Sequence, residues 1–224
     1  MAANFGCTGT PAPRKVPLPM TSAPVRDPLA DHLLTPENAA LLLIDYQPAQ
    51  MTAVRSMDRA LLLKNAVSTV RTVKTFGVPV VHSTINVATG RGQPTLPELA
   101  GLLTDDKPLD RTTTNAWEDI EFVQAVRATG RRKLIICALW TEICMAFTAL
   151  DALRDGYEVY PVVDAIGGTS LESHRAGLER VTQSGGQPVS WVSLAVELQR
   201  DWARQDTVAA IVEIVLTDRL LKEQ

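Results

Sequence analysis

The chain has 224 residues, 46% of them hydrophobic and 21% charged, which excludes a disordered chain and suffices for one large α/β domain with its own core. A formal net charge of −3, with no dense basic run, argues against a nucleic-acid or anionic-membrane surface. The longest apolar runs are much shorter than a membrane span requires.

Residues 1–35 differ from the rest. They are rich in proline (Pro11, Pro13, Pro17, Pro19, Pro24, Pro28) and lack the apolar core of a secretory signal. They read as a flexible or loosely docked arm ahead of a single domain, 36–224. The three cysteines, Cys7, Cys137 and Cys144, form neither a disulfide framework nor a metal-ligand spacing, which fits a reducing cytoplasm.

After Pro36 short apolar runs alternate with amphipathic stretches. A first strand is expected over 39–45, ending on Asp45. Ser56 or Asp58 then caps a helix that runs to Phe76 and stops at Gly77. A second strand follows at 78–83. Residues 84–117, with Gly90, Gly92, Pro94, Pro97 and Pro108, read as mostly irregular, and loops of this length are often functional. A helix over 118–129 ends at Gly130, and a buried third strand covers 133–139. The next helix begins at or near Cys144 and ends at Gly156. A fourth strand covers 157–163, a helix 171–184, a short fifth strand 188–192, and two helices 194–204 and 207–222. This alternation predicts a three-layer, doubly wound, mainly parallel sheet of five to six strands with helices on both faces. In such sheets the site lies beyond the carboxyl ends of the strands, where Asp45, Cys144 and Asp164 all fall.

Cys144, at a strand-to-helix transition, would meet free backbone N–H groups and the positive end of a helix dipole, which favours a thiolate. Cys137, in mid-strand, reads as a small buried hydrophobe. Asp164 reads as a turn former or cap. His82 and His174 are alternative bases for a Cys–His pair, with structural hydrogen bonding as the competing reading. No Gly-x-Ser-x-Gly, Gly-x-Gly-x-x-Gly or Walker-type motif is present.

The segments Leu43-Ile-Asp-Tyr-Gln47, Arg111-Thr-Thr-Thr-Asn-Ala-Trp117 and Trp140-Thr-Glu-Ile-Cys144, with Asp151-Ala152, Gly156-Tyr157 and Asp164-Ala165, resemble the isochorismatase-like cysteine hydrolases over about residues 35 to 210. Asn115-Ala-Trp-Glu-Asp119 and Glu197-Leu-Gln-Arg-Asp-Trp202 resemble the YcaC-like branch. The resemblance implies a catalytic triad of Asp45, Arg111 and Cys144, with arginine where the family carries lysine and Lys107 as the alternative cation. It also implies a cis peptide before Trp140 and an oxyanion hole from the backbone at Trp140 and Cys144. The substrate-binding candidates are Tyr46, Gln47, Asn115, Trp117, Trp140 and Thr141. The implied activity is hydrolysis of a small amide through a Cys144 thioester, without cofactor, in a homo-oligomer. The metal-binding Asp-x-His of some relatives has no counterpart in 86–92, so no metal is expected. The competing readings are a catalytically weak or inactive ligand-binding relative and a thiol redox sensor.

Overall fold

The computed structural model describes residues 21–220. Cys7, most of the proline-rich arm and the end of the helix expected at 207–222 lie outside the described residues. Five strands, β1 (Ala39–Ile44), β2 (Val80–Ile85), β3 (Leu109–Arg111), β4 (Lys133–Ala138) and β5 (Glu158–Pro161), form one all-parallel sheet in the order β3-β2-β1-β4-β5. The chain runs outward from central β1 to β2 and β3, then returns to β4 on the other side of β1. The carboxyl ends of β1 and β4 therefore flank a topological switch point, where such sheets open a crevice.

The central strands are apolar on both faces because both faces are covered. Leu41 and Leu43 of β1 join one core with α2 (Arg59–Thr75), α7 (Trp191–Gln199) and α8 (Gln205–Leu220). Leu42 and Ile44 join the other, with α4 (Ile120–Ala128), α5 (Ala146–Arg154) and α6 (Leu171–Gln183). Short polar side chains start the helices: Asp58 accepts from the Leu61 N–H at 2.8 Å, and Asp119 from the Phe122 N–H at 3.0 Å. Among the described residues no helix is long and apolar enough to cross a membrane.

The structure corrects several expected elements. The stretch expected to be irregular contains β3, the short helix α3 (Pro97–Ala100) and a 3₁₀ turn at Ala116–Glu118. With three residues at the sheet edge, β3 is too short to show an alternating pattern. The second strand lies two residues later than expected, since Pro79 has no N–H and contributes only its carbonyl, which accepts from Leu41. The expected strand at 188–192 reduces to one bridge between Val189 and Val162, because Ser190 caps α7 directly. The expected helix at 194–204 becomes α7, which ends at Gln199, followed by Arg200 at φ +57°. A further short helix, α1 (Pro48–Ala53), follows Gln47.

Part of the amino-terminal segment is fastened to α7. Glu197 accepts from the Leu34 N–H, and Arg200 binds both Asp31 and the Leu34 carbonyl.

Phe122 is fully buried in the core that lies beneath the switch point. Phe122→Ala should lower unfolding stability by about 3–5 kcal/mol, through lost burial and a residual cavity. Urea denaturation would check this, and a loss below about 1 kcal/mol would contradict the packing described.

Candidate active site

Asp45 follows the last residue of β1 with φ +63°, a left-handed conformation that aspartate tolerates better than most residues. Its N–H still pairs with the sheet, donating to the Ser83 carbonyl at 3.0 Å. The carboxylate is thus presented beyond the strand end and is fully buried.

Arg111 ends β3 and reaches across β2 to Asp45. Nη1 donates to one carboxylate oxygen at 3.0 Å and Nη2 to the other at 2.8 Å, a bidentate fork. The same nitrogens make longer bonds of 3.4 Å to the carbonyls of Thr84 and Thr114. Both charged side chains are buried, at 1% and 0% exposure.

Cys144 completes the group. It lies in a π-helical turn, Thr141–Met145, between β4 and α5, and not at the first turn of an α-helix as expected. Its thiol hydrogen-bonds the Asp45 carboxylate, and the Trp140 N–H donates to its sulfur. Burial, followed by the charge of Asp45 and that hydrogen bond, pushes the thiol up to about 12, while Arg111 and the Trp140 N–H oppose the shift. The resting group is therefore a protonated thiol facing a base, not the ready thiolate that a helix start would favour. Burial also raises Asp45, and the Arg111 charge and fork oppose it. The Leu139–Trp140 peptide is cis.

The substrate-binding candidates divide. Trp140 is half-buried beside Cys144, its Nε1 donating to the Gln50 carbonyl at 2.8 Å. Thr141 is fully buried with its hydroxyl 2.8 Å from Nδ1 of His174. Asn115 donates to Asp151 at 2.7 Å and caps the Trp117 N–H, tying the Arg111 loop to α5. Gln47 is fully buried and bridges Ile85 and Gln93 through three hydrogen bonds to backbone. Tyr46 is buried with its hydroxyl on the Ala165 carbonyl. Trp117 donates to Asp155 at the far end of α5 and packs edge-on against Phe122 and Tyr157. Tyr46, Gln47 and Trp117 thus have their polar atoms committed to the fold.

The other candidates lie apart. His82 has both ring nitrogens engaged, Nε2 with Thr95 at 2.7 Å and Nδ1 with the Asp106 carbonyl at 3.2 Å, and burial lowers its pKa. Asp164 accepts from the Trp191 N–H at 2.9 Å. Lys107 lines a separate cavity with His82 and Thr95. Cys137 packs in the core on the opposite side of the sheet from Cys144. Sequence reasoning missed Glu142 and Thr169, whose side chains join beside Cys144; the one available signal was the position of Glu142 two residues before the cysteine. Among the described residues no group of three or more His, Cys, Asp or Glu could hold a metal ion.

In the folded protein iodoacetamide should modify Cys144 and spare Cys137, which is fully buried. The Cys144 rate should climb with pH without levelling off below about pH 10, since the thiolate fraction keeps growing toward a pKa of about 12. Peptide mapping would show this; a plateau near neutrality would refute the protonated resting thiol. The fork also predicts that Arg111→Lys is badly impaired, because lysine cannot engage both carboxylate oxygens. Arg111→Met should destabilise by about 3–5 kcal/mol by stranding a buried charge. Chemical denaturation of the two variants tests this, and wild-type stability in Arg111→Met would count against the pair.

The chain is similar to known proteins over most of its length. The family model for the isochorismatase domain matches residues 39–193. The protein described as "Probable hydrolase YcaC" of Escherichia coli (strain K12) is 35% identical over 170 residues, covering 75% of this chain and 81% of that protein. The crystal structure of the Escherichia coli YcaC gene product, described as an octameric hydrolase of unknown specificity, superposes with a TM-score of 0.79 at 33% identity, covering 86% of this chain and 95% of that one. YcaC from Pseudomonas aeruginosa, solved with hexane-2,5-diol and covalent acrylamide, gives 0.78 at 30% identity, covering 85% and 96%. With its parallel sheet and its Asp45–Arg111–Cys144 cluster at the switch point, the chain belongs to the isochorismatase domain family of hydrolases, near its YcaC members.

Proposed function

We propose that this protein hydrolyses a carbon–nitrogen bond of a small amide through a thioester on Cys144. The observation that carries this reading is the buried contact of thiol, carboxylate and guanidinium at the switch point. A buried thiol that rests protonated needs a base in contact, and Asp45 is that base.

In the proposed sequence Asp45 takes the thiol proton as the Cys144 sulfur bonds to the amide carbon. The backbone N–H groups at Trp140 and Cys144 receive the resulting oxyanion. Asp45 gives its proton to the departing amine as the carbon–nitrogen bond breaks, leaving the thioester. Water then attacks the thioester, losing a proton to Asp45, and collapse releases the acid while that proton returns to the sulfur. Arg111 transfers no proton in this sequence; it orients Asp45 and favours its ionised form. Asn115 and Trp140 remain the candidates for shaping the substrate site, whereas Thr141 is fully buried with its hydroxyl against His174.

The covalent acrylamide in the Pseudomonas aeruginosa relative supports a nucleophile in this group of proteins, since acrylamide is an electrophile. The octameric Escherichia coli relative supports a homo-oligomer here. We also infer a cytoplasmic setting, in keeping with free Cys137 and Cys144, and a division into an arm at 1–35 and a domain at 36–224. A redox role for Cys144 is disfavoured, because Cys137 lies across the sheet. The non-catalytic binder draws support from arginine at position 111, and the same experiment separates it from the enzyme.

An amide library, read by released ammonia or amine with Cys144→Ala as the blank, should yield a substrate. Acid quenching during turnover should leave an acyl adduct on the peptide that contains Cys144, and Asp45→Asn should lower kcat by about a thousandfold or more with a smaller change in KM. Turnover by Cys144→Ala would overturn the mechanism, and binding of amides without any adduct would favour the binder.

A further inference from the structure

The π turn that carries Cys144 is held from outside by the segment 167–170 and by α6. The Thr141 N–H donates to the Gly167 carbonyl at 3.0 Å, and its hydroxyl lies 2.8 Å from Nδ1 of His174 on α6. The neighbouring Glu142 carboxylate accepts from both the N–H and the hydroxyl of Thr169, at 3.0 and 2.6 Å. Its second oxygen is buried and makes no hydrogen bond.

Two glycines let these pieces approach so closely. A Cβ on Gly177 of α6 would lie 2.8 Å from the Glu142 Cα and 3.0 Å from the Thr141 carbonyl oxygen. A Cβ on Gly168 would lie 2.6 Å from the free Glu142 oxygen and 2.9 Å from the His174 Cβ. Real Cβ atoms do not approach so near, so backbone presses directly on the turn. A carboxylate oxygen buried without a partner is costly in itself. It is tolerated here on Glu142, immediately before the Ile143-Cys144 step.

We propose that Thr141 and Glu142 are positioning residues: held by His174 and Thr169, they fix the π turn so that the Cys144 sulfur stays seated against Asp45, and neither touches substrate. This rests on the reading of Cys144 as nucleophile. Misplacing a reacting atom by about 1 Å costs up to about a hundredfold in rate.

The test pairs Thr141→Val, which keeps the shape and removes the hydroxyl, with Thr141→Ser, which keeps the hydroxyl. Two quantities are measured: kcat and KM on an amide substrate, and the Cys144 thiol pKa from the pH dependence of its alkylation. Thr141→Val should lose about ten- to a hundredfold in kcat with KM little changed. As the sulfur leaves Asp45, its pKa should fall measurably below about 12 through loss of the carboxylate's charge and hydrogen bond, with burial still holding it above an ordinary thiol. Thr141→Ser should recover most of both. His174→Ala and His174→Asn form a second pair, since asparagine can place a polar atom near the lost Nδ1. This pair decides the matter if Thr141→Val does not fold. The proposal is overturned by parental kcat and thiol pKa in the valine variant, by a loss confined to KM, or by a serine variant no better than valine. If instead Cys144→Ala still turns over, the nucleophile assignment fails, and the thiol pKa, which needs no substrate, still decides the positioning.

Discussion

The buried fork between Arg111 and Asp45 is the interaction on which the site depends. Moving two charges out of water costs several kcal/mol per ion, and the attraction between them offsets this only when the geometry is good and the remaining polar atoms find partners. Here both carboxylate oxygens receive a guanidinium N–H and the same nitrogens reach the carbonyls of Thr84 and Thr114, while Nε of Arg111 is buried without a hydrogen-bond partner. The pair therefore ties together the ends of β1, β2 and β3 and the loop that follows. A carboxylate gripped on both oxygens cannot rotate freely, so the direction in which it meets a sulfur is set in advance.

That constraint explains the character of the thiol. In an open site an adjacent cation would produce a thiolate. In this one the cation is spent on the carboxylate, and burial together with the carboxylate's charge dominates at the sulfur. The thiol is therefore held protonated against the carboxylate that it touches, the contact on which the proposed mechanism rests. The surroundings are built to preserve that contact. Asn115 links the arginine loop to α5, Gln47 links the end of β2 to the loop at Gln93, and the Trp140 indole is anchored on Gln50. Each bond satisfies a buried polar group and fixes one wall of the site. The two apolar cores supply the stability against which these directional contacts are set.

The contrast between Tyr46 and Trp140 shows how burial divides a motif. Both are aromatic residues at the carboxyl end of a central strand. Tyr46 turns into the core shared with α2 and α7, and its hydroxyl finds the Ala165 carbonyl. Trp140 stays half-buried beside the strand ends, and its backbone N–H meets the Cys144 sulfur. Neighbouring motif positions thus support the fold and the chemistry separately.

The sequence by itself determined β1, β2, β4 and β5, the longer helices between them and the layered parallel sheet, and its resemblance to the family marked the segments that carry Asp45, Arg111 and Cys144. It could do so because long apolar strands, capping residues and glycine stops are local signals that survive without knowledge of neighbours. The edge strand β3 was not legible, since three residues hold no period and depend on β2 for pairing. The brevity of the Val189 pairing was hidden because Val189, Trp191 and Val192 read as a strand, whereas Ser190 between them caps a helix. Tertiary structure alone decided that Arg111 forks Asp45, that Gln47 and Trp117 serve the scaffold, and that a π turn, not an α-helix start, carries Cys144. The state of the thiol also lay beyond the sequence, because burial and the distance between charges outweigh helix position, and both exist only once residues distant in the chain are packed together.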